Sequence, residues 1–406
     1  MILPNARAKS NFTKTYMVMK SIFLDNNSTT MVDDEVIEAM LECQKKKFAN
    51  PASQHEYGRV ARRELENARD SVSECLGLGP KDLCLFTSGG SEANNLAVFG
   101  RFPRKLRHQG FNLVVSAIEH PSILAAVDAL NSDGIDVRRV YPKSNGSIAP
   151  TDVLREIDEQ TRLVCCMSGN NETGVIQPVG EIASICAEKN IPFHVDTVQS
   201  IGKLEFDFVS SNFLTATVAP HKFHGPTGIG ALLIRDPESR KFPTLEPQIF
   251  GGFQQGGYRP GTESIPLAVG FAKSLELAVN NLDEKSSRVG QLRDQFETAI
   301  LEGIPGTFVN GDRINRLPHT TNISFLGIER QQFVLAADMQ KLAVSTGSAC
   351  SSGSSQPSHV LEAMGSEKPF VESAIRFGFS FQLTVHEIEE SVRRISLICN
   401  NLRRSK

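Results

Sequence analysis

What the chain lacks narrows its class before any motif is read. No stretch approaches the roughly 20 apolar residues that a membrane-spanning helix needs. Neither charge is in excess: 43 Lys and Arg stand against 46 Asp and Glu, a formal charge of −3. That balance gives no electrostatic case for nucleic acid or an anionic membrane surface. The eight cysteines are Cys43, Cys75, Cys84, Cys165, Cys166, Cys186, Cys350 and Cys399, and none stands in a CxxC pair. The sequence therefore carries no zinc or redox motif. Cys165 and Cys166 sit in an apolar run, where a free cysteine packs as a small hydrophobe. The set reads as reduced thiols of a cytoplasmic, cytosolic-type compartment. No acid precedes Asp25, while Arg7, Lys9, Lys14 and Lys20 do. An organelle transit peptide shares that bias; a disordered basic tail, or a true start at Met17 or Met19, is the commoner reading. No internal repeat or low-complexity segment is present.

What is there, over 406 residues, is enough chain for one large domain and a second, smaller one. From about residue 80 to 235, short apolar runs alternate with helical patterns. Strands are expected at 83–87, 112–116, 163–167, 193–196, 213–218 and 229–234. Helices are expected from Glu92, through Ile123 to Leu130, and over Val179 to Glu188. Strands alternating with helices predict a mainly parallel sheet covered on both faces and wound by right-handed crossovers. After about residue 265 long helical stretches (267–279 and 287–302) precede short strands at 321–325 and 375–379, and an amphipathic helix covers 386–402. This reads as a smaller α+β domain. The Gly/Ser/Thr-rich stretch from Ser345 to Ser355 has no periodicity and reads as a mobile loop.

Four segments carry chemistry. Thr87-Ser88-Gly89-Gly90-Ser91-Glu92 follows a strand and opens a helix, where glycines permit close approach and helix N-terminal amides favour a phosphate. A plain Ser-capped turn fits it equally well. Phe193-His194-Val195-Asp196-Thr197-Val198-Gln199 ends a strand with a carboxylate aimed at the crevice where open α/β sheets bind ligands. A carboxylate there suits the protonated pyridine nitrogen of a pyridoxal cofactor, and Gln199 suits its ring oxygen; a helix-capping Asp is the simpler alternative. Ala219-Pro220-His221-Lys222-Phe223-His224-Gly225-Pro226 sets a lysine on a rigid platform after another strand. Burial would depress its pKa and free the amine for a Schiff base; an exposed loop lysine is the usual case. His221 and His224 have HxxH spacing but no third ligand nearby, which argues against a metal site. Ser345-Thr346-Gly347-Ser348-Ala349-Cys350-Ser351-Ser352-Gly353 presents a cysteine among small polar residues, able to ionise and attack.

These segments, in this order, resemble the NifS/IscS-type cysteine desulfurases of the class-V aminotransferase family, within the fold-type-I pyridoxal-phosphate (PLP) enzymes. The resemblance runs from Phe23 to about Arg394. It includes Leu24-Asp25-Asn26-Asn27-Ser28-Thr29-Thr30, Asn50-Pro51-Ala52-Ser53, Glu119-His120-Pro121, Asn170-Asn171-Glu172-Thr173-Gly174 and Arg259-Pro260-Gly261-Thr262. It implies an α/β fold-type-I transferase with a mainly parallel seven-stranded sheet. The organisation it implies is a basic tail over 1–22, an N-terminal piece of the small domain over 23–32, a large PLP-binding domain over 33–265, and a C-terminal small domain over 266–406 whose mobile cysteine loop covers 345–356. Lys222 is implied as the Schiff-base lysine, Asp196 and Gln199 as partners of the ring nitrogen and oxygen, and His120 as the residue stacked on the ring and a proton shuttle. Asn171 is implied beside ring and substrate; Gly90, Ser91 and His221 as phosphate contacts; and Thr262 as a phosphate contact across a homodimer interface. Arg376 is implied as the bidentate clamp of the substrate carboxylate, and Cys350 as the persulfide-forming nucleophile. Cys350 stands seven residues before Pro357-Ser358-His359-Val360, a spacing like that of the long-loop group that hands sulfur to iron–sulfur scaffolds or tRNA-thiolation factors.

The implied reaction turns L-cysteine into L-alanine; selenocysteine lyase and a non-catalytic scaffold for a sulfur acceptor are the alternatives. Three departures stand out. Ala219 replaces the family's usual serine, which leaves Thr217 or Ser91 as replacement donors. Gly225-Pro226-Thr227-Gly228 replaces Gly-Pro-Lys-Gly, and Gly378-Phe379-Ser380-Phe381 replaces Ser-Leu-Gly-Arg.

Overall fold

The structure is a computed structural model and describes residues 20–47, 49–236, 245–347 and 356–404. After the two-residue β1 (Ile22–Phe23) come α1 (Asp34–Lys45) and α2 (Glu56–Cys75). The alternating region follows: β2 (Leu83–Thr87), α3 (Gly90–Phe99), β3 (Asn112–Ser116), α4 (Pro121–Ser132), β4 (Asp136–Val140), α5 (Pro150–Glu156), β5 (Thr161–Cys165), α6 (Val179–Lys189), β6 (Phe193–Asp196), β7 (Thr215–Val218) and β8 (Gly230–Ile234). The remainder is α7 (Ile265–Val279), α8 (Leu282–Gly303), β9 (Thr307–Val309), β10 (Thr320–Phe325), α9 (Arg330–Met339), β11 (Leu342–Ala343), α10 (His359–Ala363), α11 (Lys368–Glu372), β12 (Ala374–Gly378) and α12 (Val385–Arg404).

Seven strands form one sheet in the order β2-β8-β7-β6-β5-β3-β4. Only β8 runs against its neighbours, pairing antiparallel with β2 and β7. The expected mainly parallel seven-stranded sheet is thus the observed one. Apart from the edge strand β4, its strands are largely buried on both faces, and alternate side chains feed different cores. Leu113, Val115, Leu163 and Cys165 join α4 residues such as Ile123 and Val127 on one side. Val114, Val164, Cys166 and Val195 join α6 and α7 on the other. Cys165 and Cys166 therefore point into opposite layers, both about 1 % exposed, and burial pushes both thiols well above the usual range.

The short β1, β9 and β11 were not expected, β7 begins two residues later than expected, and two further strands differ for reasons that can be named. β4 was not expected: its Asp136-Val137-Arg138-Arg139-Val140 lies at the sheet edge, and its charges pair with Asp158 and Asp128 instead of alternating with apolar residues. Charged side chains are how edge strands resist further pairing. β5 begins two residues earlier than expected, because Thr161 Oγ1 bonds Asn112 Oδ1 at 2.7 Å and draws the polar start of the strand into the sheet.

The C-terminal part builds its own core. Phe296 of α8, Ile323 and Phe325 of β10, Phe377 of β12 and Ile395 of α12 pack together with Leu24. β12 pairs antiparallel with β10, and β10 with β9. The N-terminal segment joins this part: β1 pairs parallel with β11 in a separate two-stranded sheet, and beside β12 Asn26 Nδ2 donates to Gly378 O at 2.9 Å and Gly378 N donates to Leu24 O at 2.7 Å. Residues 24–28 are so tightly laid on β12 that a Cβ at Gly378 would sit 2.3 Å from Asn27 Oδ1 and 2.7 Å from Asn27 N.

Glycine at 378 is therefore a packing requirement. Gly378→Ala is expected to lower stability by about 2 kcal/mol or more, since backbone must move to admit the methyl group. Gly180→Ala, in α6 with nothing within 4 Å of the added carbon, is expected to be neutral or slightly stabilising. Thermal melts of the two variants check the contrast.

Candidate active site

The site lies where β6 and β7 end, beneath the N-terminus of α3 and against residues 25–29. Its centre is Lys222. The amine donates to two backbone carbonyls, Asn27 O and Ser28 O, each at 2.6 Å. Burial pushes it down from the ordinary lysine range to about 8, the Arg376 charge adds to that, and Asp25 and Asp196 pull the other way. Lys203 lies behind it, donating to Lys222 O at 2.7 Å, and burial with the Lys222 charge brings that amine to about 7. Gln199 is 6 % exposed and donates from Nε2 to the same Asn27 carbonyl at 3.0 Å, while its Oε1 lies 3.3 Å from His319 Nε2.

Asp196 is fixed by a network that the sequence reading missed. Its Oδ1 accepts from Val198 N at 3.0 Å and its Oδ2 from Asn94 Nδ2 at 2.8 Å. The Asn94 amide also donates to Ser122 Oγ at 2.9 Å. Its carbonyl must then accept from His194 Nε2, 3.1 Å away, and His194 Nδ1 must accept from Thr215 Oγ1, 2.9 Å away. Burial drives the His194 imidazole down to about 3, so this neutral tautomer is the one present. Ser122 in turn reaches His120, whose Nδ1 accepts from Ser122 N at 3.1 Å and lies 2.8 Å from Ser122 Oγ. His120 thereby caps α4 and, when neutral, carries its proton on Nε2. Burial holds its imidazole below the usual range, the Asp196 charge opposes this, and Lys222, His359 and Arg376 add to the lowering. One amide, Asn94, thus orients both the carboxylate and the histidine. A signal was available: Asn94 lies one helical turn after Gly90, on the same face of α3.

The expected anion cradle is at the start of α3. Glu92 accepts from Ser88 N at 2.7 Å and pairs with Arg259 at 2.8 Å. Gly90 packs so closely that a Cβ there would meet Val198 Cγ2 at 3.3 Å and Ala219 Cβ at 3.6 Å. His221 lies 3.3 Å from Thr29 Oγ1, and burial, with Lys222 and Lys203, lowers it to about 4. Arg376, about 4 % exposed, donates from Nη1 to Asn171 O at 3.1 Å and Gly347 O at 3.2 Å, and from Nη2 to Asp25 Oδ1 at 2.8 Å. Its Nε is buried without a partner, as are Asn171 Oδ1 and Thr217 Oγ1.

Lys222, Asp196, His120, Gln199, Asn171, His221, Gly90 and Arg376 are therefore brought together. Ser91 and Thr262 stand apart: Ser91 faces a hollow shared with Glu92 and Arg259, and Thr262 is exposed in another with Asn50 and Pro51. Cys350 lies outside the described residues. Both flanks of its segment reach the site, Gly347 through Arg376 and Ser358 through a hydrogen bond to the buried Glu172 carboxylate. Among the described residues no group of His, Cys, Asp and Glu could hold a metal ion, and no helix is long and apolar enough to cross a membrane.

The donor set fits pyridoxal phosphate. It offers a lysine amine poised to lose its proton near neutral pH, a fixed carboxylate for a protonated ring nitrogen, and a helix N-terminus for the phosphate. Buried polar atoms without partners also belong to residues of this region, among them the Asn171 carbonyl, the Thr217 hydroxyl and the Arg376 Nε–H.

This combination of doubly covered sheet, strand-end carboxylate and platform lysine defines a fold-type-I PLP protein. The class-V aminotransferase family model matches residues 22–390, and the chain belongs to that family. It is 35 % identical to the cysteine desulfurase IscS of Dictyoglomus turgidum, over 95 % of this chain and 96 % of the relative. A solved NifS-like protein superposes with a TM-score of 0.86 at 31 % identity, covering 94 % of this chain and all of the other. A second solved structure, SspA in complex with cysteine, gives 0.77 at 32 % identity over 88 % and 98 % of the two chains.

Two measurements probe the site directly. Asn94→Leu leaves His194 Nε2 and one Asp196 oxygen buried without partners, at about 1–3 kcal/mol per group; a lower melting temperature and weaker retention of the cofactor's colour are expected. With a lysine held near pKa 8, the neutral amine gains with rising pH. Uptake of PLP by the apoprotein, followed by absorbance, should accelerate through neutral pH and level off above about 8.

Proposed function

We propose that this chain is a PLP-dependent cysteine desulfurase that converts L-cysteine to L-alanine and retains the sulfur as a persulfide on Cys350. The observation that carries the reading is the convergence on Lys222. Its amine sits between two carbonyls, within the field of Asp196, His120 and Arg376. The similarity to desulfurases over almost the full length, and to a relative solved with cysteine bound, supports the substrate.

The residues divide the work. Gly90 and His221 would hold the cofactor phosphate, with the backbone N–H rather than the side chain of Ser91 at the start of α3, Asp196 the ring nitrogen, Gln199 the ring oxygen, and Lys222 the carbonyl carbon. PLP supplies an electron sink for the carbanion formed at the substrate Cα. Arg376 has donated both Nη1 hydrogens and one Nη2 hydrogen to the protein. What remains is Nε–H and one Nη2–H, a donor pair suited to a carboxylate. Asn171, with its unpartnered Oδ1, would flank the substrate. Lys222, near its neutral form at pH 7–8, is the base for the Cα proton. His120, with its proton on Nε2, is suited to pass a proton at the ring face.

In the sulfur step the Cys350 thiolate attacks the substrate sulfur. An S–S bond forms as the substrate's C–S bond breaks, and the carbon fragment takes a proton to leave as alanine. One thiol and one cysteine give one persulfide and one alanine, with no outside oxidant. Cys350 is three residues beyond Gly347, at most about 11 Å of chain, and Gly347 O lies 3.2 Å from Arg376. A cysteine flanked in sequence by small polar residues also suits delivery to a sulfur acceptor, an iron–sulfur scaffold or a tRNA-thiolation protein. A homodimer would bring Thr262, exposed in this chain, to a partner's phosphate.

Three substitutions test the reading. Lys222→Ala should abolish the cofactor absorbance and all alanine formation. Cys350→Ala should keep the colour and lose sulfide release; undiminished turnover would mean that another group carries the sulfur. Arg376→Lys should raise KM for cysteine at least tenfold, because an ammonium cannot reproduce the planar pair of donors.

A further inference from the structure

Thr217 is fully buried, and its hydroxyl has no hydrogen-bond partner. A buried hydroxyl in that state is costly unless something fills it. Its position says what. Thr217 pairs with Asp196 across the parallel β6–β7 ladder, so both side chains stand on the same face of the sheet. Two residues on, Ala219 continues that face in extended backbone. The side chain of Thr217 lies under the start of α3: Thr217 Cγ2 would be 3.7 Å, and Ala219 Cβ 3.6 Å, from a Cβ built on Gly90. The strand-end position nearest the cradle, Ala219, carries no donor. Its neighbours on the face are spoken for: Thr215 is engaged by His194, and Asp196 by Asn94 and Val198 N. Thr217 alone of this row keeps an idle O–H, and it does so beside the backbone that would receive a phosphate.

We infer that the Thr217 hydroxyl donates to the phosphate of the bound cofactor, making Thr217 a cofactor-binding residue that compensates for the absent donor at Ala219. This rests on the PLP reading above. A dianionic phosphate is the one part of that cofactor whose charge rewards an extra O–H donor strongly, since hydrogen bonds to charged groups are about twice as strong as neutral ones. The side chain contributes to affinity and touches none of the reacting atoms.

The test titrates the full-length apoprotein with PLP and, separately, with pyridoxal, which lacks the phosphate. Thr217→Val keeps the shape and removes the hydroxyl. It should raise the Kd for PLP roughly ten- to a hundredfold, the loss expected for one charge-assisted bond, while the Kd for pyridoxal changes less than about twofold. Thr217→Ser should keep wild-type affinity for PLP. Adding Ala219→Ser to Thr217→Val should restore most of what valine lost, because it places a hydroxyl on the same face. Thr217→Ala is run beside these, so that poor folding of the valine protein does not close the test; it should show the same contrast between the two ligands. An unchanged Kd for PLP in the valine and alanine variants overturns the inference. So does equal weakening of PLP and pyridoxal, which would mark Thr217 as structural. If wild-type apoprotein binds neither ligand, the PLP reading itself fails, an outcome separable from both.

Discussion

The arrangement depends on an amine held between two carbonyls. Lys222 comes from the end of β7, in the large sheet, and the carbonyls of Asn27 and Ser28 belong to a segment anchored on β12, in the C-terminal sheet. The hydrogen bonds between them join two separately packed cores at one atom. Burial lowers the amine's affinity for its proton, and the nearby Arg376 charge adds to this, while the carbonyls keep the group in place. Position and reactivity thus have different physical sources: backbone dipoles fix the first, and desolvation with a like charge sets the second.

The same division recurs around the site. Asp196 and His120 come from different βα connections, yet one amide, Asn94, fixes both through direct and Ser122-mediated bonds. Behind it a neutral His194 and Thr215 complete a chain of donors and acceptors in which each buried atom has a single consistent role. Fully satisfied networks of this kind restrict side chains to one geometry. Among the buried atoms left without partners are the Arg376 Nε, the Asn171 carbonyl and the Thr217 hydroxyl, the three for which we propose places in cofactor or substrate binding.

Much of this was legible in the sequence, for reasons that can be named. β2, β3 and β6 begin and end where the apolar runs do, because buried parallel strands read as continuous hydrophobic stretches. Lys222, Asp196 and Gly90 stand beside turn residues at strand ends, so they could be picked out singly, whereas His120 was named only through the family resemblance. β4 was hidden because its edge position selects arginines and an aspartate over apolar residues. The Asn94–His194–Thr215 chain was hidden because its members are distant in sequence and each has an ordinary buried alternative. The carbonyls of Asn27 and Ser28 left no trace at all, since a backbone acceptor makes no demand on its own side chain. Gly378 was read only as a departure from a motif; its cause is the close seating of Asn27 on β12.

The seven described cysteines share one property, thiols pushed upward by burial: Cys84, Cys186 and Cys399 to about 12, and Cys43, Cys75, Cys165 and Cys166 in the same direction. At neutral pH they remain protonated and poorly nucleophilic. Alkylation under native conditions would therefore spare these seven positions, so a conjugation chemistry aimed at any other thiol of the protein would not need the seven to be engineered away.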